Sequence, residues 1–177
     1  MKNILVLITF LMTVSMLAFA QAPDKWISYS SPEGRYTVSL PGEPKLTAQE
    51  GENANGEKSQ QYLAVANEPG DIGYMTAYFD LLPNDEFSID GARDGMVEEL
   101  KGVLISETSL PLDRYQGREF QMTLKPTGGT VYLDRVRIYK ADKRIYVLQC
   151  LFPKSSDGET MRAKAAKYFD SFQIRKN

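Results

Sequence analysis

A chain of 177 residues with a formal net charge of −2 and 42% hydrophobic residues has the size and apolar content of one ordinary domain with its own core. That mild acidity argues against a nucleic-acid binder, which needs a concentrated positive surface, and gives no basis for docking on anionic lipid. Histidine is wholly absent and Cys150 is the only cysteine, so Ser-His-Asp and Cys-His catalysis, histidine-bound zinc and any intramolecular disulfide are all excluded.

In chain order, Lys2 precedes an almost uncharged apolar run over residues 4–19 that ends in Ala18-Phe19-Ala20. A positive start, a short apolar stretch and small residues before a cut are the layout of a secretory signal peptide, here residues 1–20 with cleavage after Ala20. The run is too short and wrongly flanked for a membrane span, and no cysteine follows the cut to carry a lipid. The expectation is a secreted or periplasmic chain, soluble and without a membrane anchor after cleavage, with residues 21–177 forming a single domain.

Strands come next. Residues 26–30 and 36–40 flank the turn Ser31-Pro32-Glu33-Gly34, and Tyr36, Val38 and Leu40 alternate with polar neighbours in the period-two pattern of a half-buried strand. Pro41-Gly42-Glu43-Pro44 stops that strand. A hairpin is predicted around the polar tip at residues 51–56, and Glu68-Pro69-Gly70-Asp71 turns the chain into a strand over residues 72–82. That strand has bulk on both sides and so suits a central place in a sheet.

A helix is predicted over residues 88–101, with Ile89, Ala92, Met96 and Leu100 on one stripe, Ser88 as N-cap and Gly102 at C′. After residues 103–109 follow three strands in meander order, the first two joined at Thr127-Gly128-Gly129-Thr130 and the last two at Lys140-Ala141-Asp142-Lys143. The strand over residues 144–152 is apolar on both faces and reads as the most buried. The closing helix shows a capping box, Ser156 with Glu159, and an apolar stripe of Met161, Ala165, Tyr168, Phe169 and Phe172. The sum is an α+β domain: a mixed, mostly antiparallel sheet flanked by two main helices.

Two stretches carry a resemblance. Tyr36-Thr37-Val38-Ser39-Leu40-Pro41-Gly42-Glu43-Pro44 resembles the opening of PsbP-like domains, and Tyr168-Phe169-Asp170-Ser171-Phe172 is similar to the final-helix signature of their small exported bacterial relatives. The family is named for the extrinsic subunit of photosystem II. The resemblance implies an α-β-α sandwich around an antiparallel sheet. Metal contacts in its photosynthetic branch involve histidines, which this chain lacks, so no functional residue is carried over.

The residues themselves offer three candidate sites. Asn84-Asp85-Glu86 and Asp90 bring oxygen donors to the start of the first helix, but their spacing matches no EF-hand and acidic residues there complement the helix dipole. Arg135, Arg137, Lys140, Lys143 and Arg144 gather positive charge on one hairpin, a docking patch for an acidic partner or else a solvated strand face guarding an edge. Tyr74, Tyr78, Tyr132 and Tyr146 either line a small-ligand face with hydroxyl handles or pack across strands. Cys150 reads as a buried small hydrophobe. No catalytic residue, metal ligand or cofactor is assigned. The expected role is non-enzymatic binding of a protein partner or a cell-envelope component. The alternatives are a carrier of a small apolar ligand and an enzyme working through paired carboxylates.

Overall fold

The structure, a computed structural model, describes residues 26–52, 58–83, 85–126 and 129–175. The expected signal peptide, most of the hairpin tip after Glu52, and Thr127 with Gly128 lie outside the described residues. Among the described residues no helix is long and apolar enough to cross a membrane.

The period-two segments form strands close to where the alternation places them. They are β1 (Ile27–Ser31), β2 (Tyr36–Leu40), β3 (Lys45–Glu52), β4 (Lys58–Glu68) and β5 (Ile72–Asp80), followed after α1 (Ile89–Glu99) by β6 (Val103–Ser109), β7 (Gln116–Leu124), β8 (Tyr132–Ala141) and β9 (Arg144–Pro153). After α2 (Glu159–Asp170) the short β10 (Gln173–Ile174) ends the described fold. Seven strands make one large sheet in the order β3-β4-β5-β9-β8-β7-β6, while β1, β2 and β10 make a separate small sheet. The fold is α+β, and every strand pairing among the described residues is antiparallel.

This corrects the mixed sheet expected from the sequence. Parallel neighbours require a crossover that returns beside its own starting strand. Here α1 carries the chain from β5 to the far edge at β6, with β9, β8 and β7 filling the space between. The position of β9 at the centre of the seven follows from a strand that is apolar on both faces.

The register sorts side chains onto two faces. On one, Tyr74 sits opposite Cys150, Tyr78 opposite Tyr146, and Tyr146 opposite Tyr139. Against this face pack β2, through Tyr36, Val38 and Leu40, and α2, through Met161, Ala165, Tyr168 and Phe169, with Phe172 just past its end. The other face presents Ala77, Val147, Ile138, Phe120 and Met122 to Ala92 and Met96 of α1. The whole α2 stripe is buried as its spacing requires. Tyr168 completes the contact by donating its hydroxyl to the Met75 carbonyl at 2.5 Å, satisfying a polar group that would otherwise be costly so deep in the core.

Helix ends differ in detail from expectation. Ser88 caps α1 as expected, accepting from the Gly91 amide at 3.1 Å. At the other end Gly102 is not C′. Lys101 takes the left-handed position at φ 50, with its amide on the Glu98 carbonyl and the Gly102 amide on the Val97 carbonyl. That is a Schellman closure with a lysine where glycine is favoured. Lys101→Gly should therefore raise the unfolding free energy by about 1 kcal/mol, since a side chain in that backbone region costs roughly that much; urea denaturation reads the gain, and a loss would contradict the assigned cap.

The capping box is also corrected. A 3₁₀ turn at Lys154–Ser156 takes up Ser156, and α2 starts later with Gly158 as N-cap and no side-chain cap bond. Asp157 instead pairs with Arg162 at 3.0 Å.

Candidate functional site

The small sheet and α2 cover only part of their face of the large sheet, and the β3–β4 edge projects beyond them. The placing of the small sheet is fixed by its turn. Arg35 adopts φ 54 and donates its amide to the Pro32 carbonyl at 3.2 Å. Gly34 is required by space: a Cβ there would lie 2.6 Å from both Ser31 Oγ and the Tyr36 ring. Two side chains of β9 hold the turn down, with the Tyr146 hydroxyl donating to the Gly34 carbonyl at 2.8 Å and Arg144 Nη1 to the Glu33 carbonyl at 2.6 Å.

Between this turn and the projecting edge lies a cleft of about 460 Å³. Tyr29, Ser31 and Glu33 form one wall, Leu46 and Tyr62 the other, and Tyr78 with Arg144 the inner end. The register explains the second wall: Leu46 is opposite Ala64, and Ala48 opposite Tyr62, which is in turn opposite Tyr78, so all share one face. Tyr62 stacks on Tyr78 with ring centroids 5.0 Å apart and planes 17° apart, while the Arg144 guanidinium lies 4.8 Å from the Tyr78 centroid. Leu46 is 62% and Tyr62 44% exposed. The remaining large hydrophobics of comparable exposure among the described residues, Val103, Leu104 and Ile105, lie on the opposite edge strand β6.

Charge in the cleft is partly neutralised from within. Arg144 forks onto Asp80 through Nε and Nη2 at 2.7 and 2.6 Å. Those bonds hold the Asp80 carboxyl below its ordinary range against the opposing effect of burial, and keep it ionised. Burial raises the Tyr78 and Tyr29 hydroxyls, with the Glu33 carboxylate adding to both effects and Glu43 to that on Tyr29.

The four tyrosines named from the sequence do not meet as one surface. Tyr78 reaches the cleft. Tyr146 lies beneath it, its hydroxyl used by Gly34. Tyr74 is fully buried in the core and donates to Glu68 at 2.9 Å. Tyr132 is half-buried and sits opposite Pro153 and Leu124, on the other face by alternation.

The basic residues are likewise divided. Arg135 and Arg137 share Glu119, whose carboxyl burial pushes up but the two guanidiniums hold below its ordinary value. Lys140 and Lys143 reach the carbonyls of Phe87 and Pro83, and Arg144 is committed to Asp80. Each cation is thus engaged within the fold. Of the residues around the first helix start, Asp85 accepts from the Leu82 amide at 3.1 Å, and Asp90 pairs with Arg118 at 2.8 Å. Cys150 is fully buried, and burial pushes its thiol up.

Tyr29, Glu33, Leu46, Tyr62 and Asp80 were not singled out by sequence patterning. The available signal was Leu46, the one large apolar side chain in the mostly polar stretch Lys45–Glu52.

The chain matches no protein-family model and no curated relative. Among solved structures it is similar to cyanobacterial PsbP from Synechocystis sp. PCC 6803, at 10% identity, over 89% of this chain and 97% of that one, with a TM-score of 0.52. A likeness at that identity is one of fold. A Pseudomonas aeruginosa protein of unknown function aligns over 80% of this chain and 94% of its own at 7% identity and TM-score 0.43. A Bacteroides thetaiotaomicron structure aligns over 85% of this chain and 48% of its own at 15% identity and TM-score 0.47.

Proposed function

We propose that this chain is an exported domain that acts by binding rather than catalysis, and that the tyrosine cleft holds its ligand. One observation carries the reading: two strongly exposed apolar side chains, Leu46 and Tyr62, flank a concave site of about 460 Å³ with a fixed inner end. Ligand sites are concave, largely apolar and supplied with a few oriented polar groups. The bonds from Tyr146 and Arg144 to the turn preform the cleft, which lowers the ordering cost of binding.

Carboxylate catalysis has less support. An acid catalyst needs a raised pKa, and the cleft's Asp80 is pushed the other way by Arg144. Docking through the basic hairpin is also less favoured, because its cations already have partners within the fold. The PsbP-like layering of helix, sheet and helix belongs to this reading, supported by the separate cores that α1 and α2 build on the two faces. Export rests on the leader pattern at residues 1–20.

The test uses N-phenylnaphthylamine, a neutral apolar dye. Its fluorescence should rise with the protein, and Tyr62→Ala should weaken that binding about ten-fold while the far-ultraviolet circular dichroism stays unchanged. Dye binding that is absent, or indifferent to Tyr62, overturns the cleft as the ligand site.

A further inference from the structure

We propose that the ligand of this cleft carries a small organic cation, an alkylammonium group, held against the exposed face of Tyr62 and facing Glu33. The inference rests on the cleft being the binding site and adds the chemistry of what enters it.

The charges decide against an anion. Arg144 is the cation of the lining, and three of its five N–H donors are already committed to Asp80 and the Glu33 carbonyl. Of the charged residues that line the cleft, Glu33 and Asp80 are negative and Arg144 is positive. Two negative charges against one positive leave an excess of one negative. No ion pair among the described residues uses the Glu33 carboxylate, although it is close enough to raise the hydroxyls of both Tyr29 and Tyr78. A neutral apolar ligand would leave the charge of that exposed carboxylate unanswered. A cation would neutralise it.

The aromatic rings favour the same occupant. The faces of tyrosine rings attract cations, most strongly when water is excluded. This cleft already shows the interaction once, with Arg144 over Tyr78. Tyr62 continues that stack outward, and its outer side is left exposed. A hard metal ion is a poor fit, since it demands several oxygen ligands at once and no group of three or more acidic or thiol side chains gathers for one among the described residues. A large, weakly hydrated ammonium suits rings and a single carboxylate better.

Choline and its neutral carbon isostere, in which a tert-butyl group replaces trimethylammonium, separate the possibilities by isothermal titration calorimetry on the purified protein. Choline should bind about ten-fold tighter than the isostere. Glu33→Gln should remove that preference by weakening choline about ten-fold, with the turn kept in place because it is anchored through the Glu33 carbonyl. Tyr62→Ala should weaken choline as well as the dye. Equal affinity for choline and its isostere, or choline binding indifferent to Glu33→Gln, overturns the cationic assignment. Failure of choline to bind while the dye still depends on Tyr62 also overturns it and leaves the cleft as a binding site; loss of both removes the two readings together.

Discussion

Phe169→Ala is expected to lower the unfolding free energy by roughly 3–5 kcal/mol, the range for removing a fully packed aromatic ring. Phe169 is 1% exposed, on the face of α2 that meets the large sheet. Its ring lies under two guanidiniums, Arg137 at 4.8 Å and Arg135 at 5.4 Å from the centroid. Those contacts add to the cavity effect, because partly desolvated cation–π pairs contribute about 1 kcal/mol each. Arg137 remains tied to Glu119 at 2.6 Å and Asp170 at 3.0 Å, so the truncation should not free a buried charge. Urea denaturation should show a lower midpoint with an unchanged slope. An unchanged midpoint would mean that α2 does not hold the sheet through this ring.

The face of α2 was legible because one helix imposes its own periodicity: Met161, Ala165, Tyr168 and Phe169 fall on a single stripe whatever they meet, and Phe172 follows just past its end. The start of the same helix was not. Ser156 and Glu159 satisfy the local capping pattern, yet the exit from β9 folds Lys154–Ser156 into a 3₁₀ turn and moves the helix start onward. The competing element was the end of the preceding strand, which a four-residue pattern does not contain.

Alternation was informative only where it was followed through. Arg135 and Arg137 share a parity and Lys140 has the other, so a single basic patch was already in conflict with a strand that exposes alternate residues to opposite faces. Tyr132 is separated from Tyr146 in the same way. The cleft is a different matter. It joins side chains from β1, β3, β4, β5 and β9 and from the β1–β2 turn. It exists because β1 and β2 belong to a small separate sheet that leaves Leu46 and Tyr62 of β3 and β4 exposed. Long-range pairing of that kind has no signature within any one segment. What the sequence did convey was the chemistry withheld from the site, since a chain without histidine leaves tyrosines, carboxylates and arginine to do any recognition.

Stability should fall as pH rises from about 4 towards 8, and Asp134 is the residue responsible. It lies on the α1 face of β8, 2% exposed, opposite Met122 on β7 and Leu151 on β9. Gln149 Nε2 donates to its Oδ2 at 3.0 Å, while Asp134 Oδ1 and Gln149 Oε1 have no partner among the described residues. Burial pushes the carboxyl up to about 8, against a smaller opposing effect of the Gln149 bond. A proton on Oδ1 turns one unpartnered oxygen into a donor, beside an amide whose own oxygen lacks one. Between the unfolded value near 4 and the folded value near 8, the folded chain therefore holds a proton that the unfolded chain has released. The slope from this group approaches about −1.4 kcal/mol per pH unit and vanishes above the folded value. Asp80 and Glu119, held low by arginines, act in the opposite sense and only in more acid solution, where their stabilising effect is lost. Asp134→Asn supplies an amide donor at every pH. It should abolish the slope and raise stability at pH 7 on the order of 4 kcal/mol, with parent and variant converging near pH 4. Urea denaturation across that range measures both, and a parent whose stability is flat or rising from pH 5 to pH 8 would show that Asp134 is ionised in the fold.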